Sequence, residues 1–412
     1  MPKLSICVPS RNRQIYFMET IKSLVESPRE DVEFVFADNS DNAEIMRNFM
    51  AAYDGDPRVV FVPAGERVYS MVDNWERCVA ASTGDWVTVI GDDDYADPDL
   101  ALVLMRVELM LPGVEAFTWT AANFTWPEEG IPQVSNTQLH LKPNLIELPR
   151  EWLIKRAYLW VDAGNAPTHG FSIYHSALAR PLLERIRERF NGRYFEHPTV
   201  DFDSSFKAVL LGQRFVMWQR PLSVYGVCPL SNSAVVYKPR QMAEANVAFM
   251  AEVGRDISKD ASMEGLPFHC DMGVPAAVLV TQQWIKWTAG LSIDGWQENY
   301  ARACANFCSK LRTREDYDIL SEIYAEAFNL WEGGRYAHAF KPQYSGIPAE
   351  FDAFSGITED RLFMNNRLTG ADTPKDIYDM LSALIPPLED AQFLPSQLRF
   401  PADSEAMRIG RQ

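Results

Sequence analysis

Three consecutive aspartates, Asp92-Asp93-Asp94, follow the apolar run Trp86-Val87-Thr88-Val89-Ile90 and Gly91. Adjacent carboxylates repel one another unless something positive stands beside them. The usual compensator is a divalent cation. Mg2+ and Mn2+ take hard oxygen ligands, and Mg2+ is commonly shared between one or two carboxylates and a substrate phosphate. A metal held in this way can neutralise a departing diphosphate. Two plainer readings compete. One is a solvated acidic loop that only caps the helix opened at Asp97-Pro98. The other is a calcium loop, but that pattern counted from Asp92 needs Gly sixth and Glu twelfth, and the chain has Asp97 and Val103 there.

The surrounding elements bear on the choice. Lys3 to Val8 reads as a buried strand closed by Pro9, Val32 to Ala37 as a second, Val59 to Val62 as a third and Trp86 to Ile90 as a fourth. Between them Tyr16 to Glu26, Ala43 to Tyr53 and Val72 to Ala81 have helical periodicity, and Pro98 opens another helix over Asp99 to Met110. Strand and helix alternating at this spacing predict a parallel α/β sheet, and ligands in such sheets bind at the carboxyl ends of the strands. Ser10 to Arg13, Asp38 to Asp41 and Asp92 to Asp94 all follow strand ends, so they should line one crevice. Phe117 to Leu148 reads as strands and loops. Pro181 to Arg189 and Asp203 to Leu211 read as helices, and Phe215 to Trp218 and Leu222 to Tyr225 as two short strands. From about Lys238 the pattern becomes helical, over 242–253, 276–288, 296–311, 315–331 and 375–384. The expected division is 1–237 for an α/β domain and 238–412 for a mostly helical domain or extension.

Composition narrows the class. Of 412 residues, 47% are hydrophobic and 12% aromatic, which excludes a disordered chain. The net charge of −17 disfavours sequence-independent binding to nucleic acid or anionic lipid. No secretory leader and no membrane-length apolar run is read. The cysteines, Cys7, Cys78, Cys228, Cys270, Cys304 and Cys308, include no Cys-x-x-Cys pair. Cys304 and Cys308 read as buried thiols, and a reduced, cytoplasmic setting is expected, with peripheral placement at the inner face of the membrane left open.

The run from Gly84 to Leu100, GDWVTVIGDDDYADPDL, resembles the DxD region of family 2 glycosyltransferases. Leu4 to Arg13 (LSICVPSRNR) is similar to their opening strand and turn, and Val35 to Asp41 (VFADNSD) to their second strand. Asn74, a short helix and Gly84 also fit, so the resemblance covers about Lys3 to Ser233. It implies a GT-A fold, a Rossmann-like mixed sheet of the nucleotide-diphospho-sugar transferase type, and an inverting transfer. It further implies Asp92, Asp93 and Asp94 as the metal site for Mn2+ or Mg2+. Donor contacts are implied at Ser10, Arg11, Asp38 and Asp92, with Arg67 added on position alone. Gly91 stands where many members have Asp. Anchored on Pro98, Asp93 matches the second Asp of the DxD; read literally, the DxD is Asp92 and Asp94.

An inverting displacement needs a base for the acceptor hydroxyl. The family supplies it from an acidic step before a helix, with Gly about eleven residues on. Asp201 and Gly212 fit that spacing, with Val200 in place of the usual Glu. Asp201 is the expected base, Asp203 the fallback, and capping of the helix the structural alternative. His169 and His197 are weaker ligand candidates, and His175 reads as structural or as part of an acceptor loop. Arg77 reads as solvent-facing, and Trp284, Trp287, Trp296 and Trp331 as helical core. The expected partners are a nucleotide-sugar, a UDP-sugar first, and a glycan or glycolipid acceptor, with the helical part open to a homo-oligomer contact. The competing readings are an inactive GT-A-like binding or scaffolding subunit and, more weakly, a sugar nucleotidyltransferase, which lacks its Gly-rich loop here.

Overall fold

The short apolar runs do become strands. In a computed structural model, β1 (Leu4–Ser10), β2 (Val32–Asp38), β3 (Val59–Val62) and β4 (Trp86–Val89) are parallel neighbours in the order 4-1-2-3. β1 and β2 are buried at every residue, as their unbroken apolar runs require of strands covered on both faces. The coverings are α1 (Gln14–Val25), α2 (Ala43–Met50) and α3 (Met71–Ala80). Ser70 caps α3 by accepting the amide of Asp73. The structure describes residues 2–127, 136–141, 143–167, 170–231, 250–254, 256–346, 354–365, 370–385 and 398–399, with 244, 247 and 388. His169 and half of the helix expected over 242–253 lie outside these.

Beyond the triplet come β5 (Tyr95–Ala96), α4 (Leu100–Met110), β6 (Ala116–Thr125), β7 (Asn136–His140), β8 (Leu145–Leu148), α5 (Arg150–Leu159), β9 (Ser176–Ala179), α6 (Arg180–Arg189), α7 (Val200–Leu211) and β10 (Phe215–Val227). β9 is antiparallel to both β4 and β6 and makes the sheet mixed. β10 runs parallel to β6 and antiparallel to β5 and β8. Sequence patterning predicts two short strands where β10 is one. Pro221 has no N–H to give the ladder, and the strand crosses it by register shifts on either side rather than by ending.

The helical half contributes α8 (Val274–Ala289), α9 (Gln297–Ser309), α10 (Arg314–Leu330) and α11 (Pro374–Ser382), with β11 (Gly356–Ile357), β12 (Arg361–Asn365) and β13 (Leu398–Arg399). It does not fold around a core of its own. Leu279, Ile285, Tyr300 and Phe307 share one cluster with Val87, Leu153, Phe206 and Phe215. Ile377, Tyr378 and Leu381 pack in a second cluster with Leu4, Phe117 and Leu222. β12 pairs with β7, and β13 pairs with β8 at the edge of the main sheet. The expected boundary at 237/238 lies outside the described residues, and the helical elements beyond it share both clusters with the first half. Trp296 and Trp331 are buried as expected, but Trp287 is 58% exposed.

Burying one large apolar side chain is worth roughly 1.5–3 kcal/mol, against a total stability of about 5–15 kcal/mol. Removing the partners of Phe206, Leu153 and Phe215 therefore removes much of the margin. A chain ended at residue 237 is expected to show no cooperative thermal transition by circular dichroism and to bind a hydrophobic dye. A sharp transition near that of the full chain would show that the first 237 residues fold alone.

Candidate active site

Ser10 and Asp38, the last residues of β1 and β2, are register partners. The turn after β4 brings the triplet to the same edge, as parallel topology demands. There Ser10 Oγ donates to Asp92 Oδ2 at 2.6 Å. All three aspartates are buried, none more than 3% exposed, and each is held differently.

Asp92 faces Arg13, whose Nε donates to Oδ2 at 3.1 Å and whose Nη2 lies 2.5 Å from Oδ1. Asp93 Oδ2 accepts from Ser231 Oγ at 2.6 Å, Cys228 N at 3.2 Å and Arg13 Nη1 at 3.3 Å. Asp94 is fully engaged within the protein. Its Oδ1 accepts from Gly226 N at 2.7 Å, and its Oδ2 from Gly91 N at 2.6 Å, Tyr174 Oη at 2.7 Å and His175 Nε2 at 2.8 Å. Thr20 Oγ1 lies 3.0 Å from the carbonyls of both Asp92 and Asp94 and pins the turn.

The orientation of His175 follows from its second nitrogen. Trp119 Nε1 can only donate, and it does so to Ser223 Oγ at 2.7 Å. The Ser223 proton is then left for His175 Nδ1 at 2.8 Å, which directs the Nε2 proton to Asp94. His175 is left-handed, φ 52°, a conformation that non-glycine residues hold only under external constraint.

Burial drives the Asp92 carboxyl up to about 7, against the pull of Arg13. Burial and then Asp94 raise Asp93. For Asp94, burial is outweighed by His175, Tyr174 and the Gly226 amide, which together hold it below the ordinary carboxylate value. For Arg13, burial works against the charge, but Asp92 and Asp93 outweigh it and hold the guanidinium protonated. Asp92 and Asp93 are hard-oxygen donors side by side, so this pair fits a divalent cation shared with a diphosphate. Asp94 is the most heavily bonded of the three, with four donors from the surrounding fold. Among the described residues no group of three or more His, Cys, Asp and Glu side chains is arranged for a metal.

A pocket of about 410 Å³ adjoins the triplet through Tyr174 and His175. Trp119, Thr120, Tyr225 and Asp201 also line it. Thr120 Oγ1 is buried there without a partner among the described residues. Asp201 stands in the first turn of α7 and lies at the pocket wall, raised above its ordinary value by burial. Asp203, two residues on, is fully buried and is not among the residues lining the pocket. Its Oδ2 accepts from Lys207 Nζ at 3.0 Å and from the Glu196 amide at 2.9 Å.

The remaining expected residues are placed as follows. Asp38 is fully buried, with Oδ1 accepting the Ser40 amide at 2.9 Å and Oδ2 unpartnered among the described residues. Arg11 pairs with Glu252 and lies 3.9 Å from Asp41. Arg67 is exposed, its guanidinium 5.1 Å from the Tyr69 ring centroid. Arg77 is not solvent-facing: it donates to the Asp38 carbonyl at 3.0 Å and to the Pro63 carbonyl, tying the β2 and β3 ends together. His197 is buried against Thr199 and Thr281. The sequence assigns no role to Arg13, Tyr174 or Gly226 and leaves His175 between a structural role and an acceptor loop. Arg13 carried a usable signal, being a cation in a strand-end turn that shares the triplet's crevice.

Residues 5–115, which hold Ser10, Arg13, Asp38 and the triplet, match the family model of glycosyl transferase family 2. Solved structures with a looser overall likeness include S. aureus TarS 1–349 in complex with UDP-GlcNAc. It is 15% identical, over 82% of this chain and 90% of that one, with a TM-score of 0.45. The mannosyltransferase PcManGT from Pyrobaculum calidifontis, in complex with GDP-Man and Mn2+, is 17% identical over 82% and 86%, with a TM-score of 0.35. The family match and the mixed sheet with its strand-end crevice identify this part of the chain as a family 2 glycosyltransferase domain of GT-A type, and the protein is a glycosyltransferase.

Gly226 is required by this packing. A Cβ built there would lie 1.6 Å from the Asp93 carbonyl oxygen, which also accepts from Trp126 Nε1 at 2.9 Å. Gly226→Ala is expected to destabilise the protein by about 3 kcal/mol or more, read as a lowered midpoint in urea. An unchanged midpoint would mean that β10 does not seat against the triplet as described.

Proposed function

We propose that this chain transfers a sugar, with inversion, from a nucleoside-diphosphate donor, a UDP-sugar first, to a hydroxyl of a glycan acceptor. The observation that carries the reading is Asp201 at the wall of a pocket whose other wall, Tyr174 and His175, is bonded to the triplet. A donor diphosphate on the Asp92–Asp93 side and an acceptor near Asp201 then meet across one cavity.

In this reading Asp38 Oδ2 accepts an N–H of the nucleobase, and Ser10 and Arg11 border the nucleotide. Arg67 is the exposed cation available to the diphosphate. Asp92 and Asp93 hold the divalent cation, Mn2+ or Mg2+, which when bound would offset the charge of the leaving diphosphate. Asp94 does not ligate it; it fixes Tyr174 and His175. Trp119, Tyr174 and Tyr225 offer apolar ring faces, and Thr120 a free hydroxyl, the mixture that seats a sugar. The acceptor oxygen attacks the anomeric carbon as its proton passes to Asp201. The bond to the diphosphate oxygen breaks and its electron pair leaves with the phosphate. A binding-only subunit has no use for a desolvated carboxylate at that wall without a counter-ion among the described residues. All six cysteines are free and buried, which fits a reducing, cytoplasmic setting.

Two measurements separate the carboxylates. Removing a general base costs about 10²–10⁴-fold, so Asp201→Asn is expected to lose transfer by about that factor while keeping its thermal midpoint. Asp203→Asn removes the nearer of two carboxylates from the buried Lys207, leaving Glu196 Oε2 at 3.4 Å, and is expected to lose about 2 kcal/mol of stability. Full activity in Asp201→Asn would exclude it as base. The base works deprotonated, so kcat/KM is expected to rise with pH. Because burial raises Asp201, the midpoint of that acid limb should lie above the ordinary carboxylate value of about 3.9. A midpoint at or below that value would contradict the assignment.

A further inference from the structure

Arg13 occupies the ground a divalent cation would use. Its three guanidinium nitrogens reach both oxygens of Asp92 and Oδ2 of Asp93. The carboxylates themselves are fixed from behind. Ser10 holds Asp92, Ser231 and the Cys228 amide hold Asp93, and Thr20 pins the turn backbone. Among the described partners Arg13 is the one cation, carried on a long side chain that can swing away. It sits at the N-terminal end of α1 without a capping bond, and its side chain is 24% exposed while those of Asp92 and Asp93 are 0% and 4% exposed. A metal ion approaching from the crevice therefore meets carboxylate oxygens already covered by a positive group, and the two cations repel.

We propose that Arg13 is a resident counter-ion that keeps free divalent metal off the Asp92–Asp93 pair until a nucleoside diphosphate arrives. This rests on the donor-site reading above. The diphosphate supplies new oxygens both to the metal and to Arg13, whose planar fork suits phosphate as well as carboxylate. The empty protein then needs no metal to hold its acidic turn together, and metal and nucleotide bind with strong mutual dependence, since coupling between two ligands is reciprocal.

The test is calorimetric titration of Mn2+ alone, without nucleotide, into the full-length protein, Arg13→Gln and Arg13→Lys, with circular dichroism on each. Arg13→Gln is expected to bind Mn2+ at least tenfold more tightly than the unmodified protein, with Arg13→Lys between them. Adding Asp92→Asn to Arg13→Gln should abolish the gain. Equal or weaker affinity in Arg13→Gln overturns the proposal. If Arg13→Gln does not fold, Arg13→Lys decides: a gain of threefold or more supports it, and no gain overturns it. Repeating the titration of the unmodified protein with UDP or GDP present separates this idea from the reading beneath it. No Mn2+ binding with either nucleotide would remove the donor-site reading itself. Binding with nucleotide, combined with no gain in the Arg13 variants, would remove only the role of Arg13.

Discussion

Three carboxylates in one turn, all out of water, cannot stay charged together unless each finds its own compensation. At about 4 Å and an effective dielectric near 20, one like-charge pair costs about 4 kcal/mol. The fold answers with three separate devices. Asp92 takes Ser10 and Arg13 from the end of β1, Asp93 takes the chain just past β10, and Asp94 takes His175, Tyr174 and the backbone of β10. Much of the architecture follows. The segment before β9 must hold His175 in a left-handed conformation, and β10 must carry a glycine where it crosses the Asp93 carbonyl. Arg13, Ser10, His175 and Gly226 come from points more than 200 residues apart, and the acidic turn is what brings them together.

The pocket wall at α7 is built on a different principle. Among the described residues Asp201 has no charged partner; it is placed by the helix that carries it, and that helix is placed by its neighbours. Thr281 on α8 bonds to Thr199 and lies 3.1 Å from His197 Nδ1, just ahead of the first turn of α7. Gln282, next along α8, accepts from Trp160 Nε1 at 3.1 Å and donates to the Ala157 carbonyl at 2.8 Å. These polar contacts sit inside the shared apolar core, where an unmatched group is expensive. They fix the rotation of α8 against α7 more narrowly than apolar packing could. The helical half thus acts as the rear wall of α7.

The legible part of this protein was whatever depended on neighbours in sequence. Continuous apolar runs gave β1 to β4 within a residue or two, and the strand-end rule put Ser10, Asp38 and the triplet on one edge. Asp203 was separable from Asp201 only in three dimensions, because its partner Lys207 is visible one helical turn away but the burial of the pair is not. Arg77 looked like a surface residue because its acceptors are backbone carbonyls of two other strands, which carry no side-chain signature. His175 pairs with an aspartate 81 residues away, and no local pattern announces that. The strands of the second half were missed because β11 and β13 are two residues long and exist only through their partners.

Gly91 has a physical explanation that the comparison with the family motif lacked. A Cβ at this position would lie 2.8 Å from Asp94 Oδ2 and 3.0 Å from Asp93 Oδ1. A carboxylate oxygen at the end of a free side chain could rotate away from that contact. Asp94 Oδ2 cannot, because it is held at once by the Gly91 amide, Tyr174 and His175. An aspartate at 91 would also bring a fourth carboxylate to a turn whose described cationic partner is Arg13. Glycine is therefore the consequence of committing Asp94 to the interior. With Asp94 bonded to Tyr174 and His175, the two carboxylates left to Arg13 are Asp92 and Asp93.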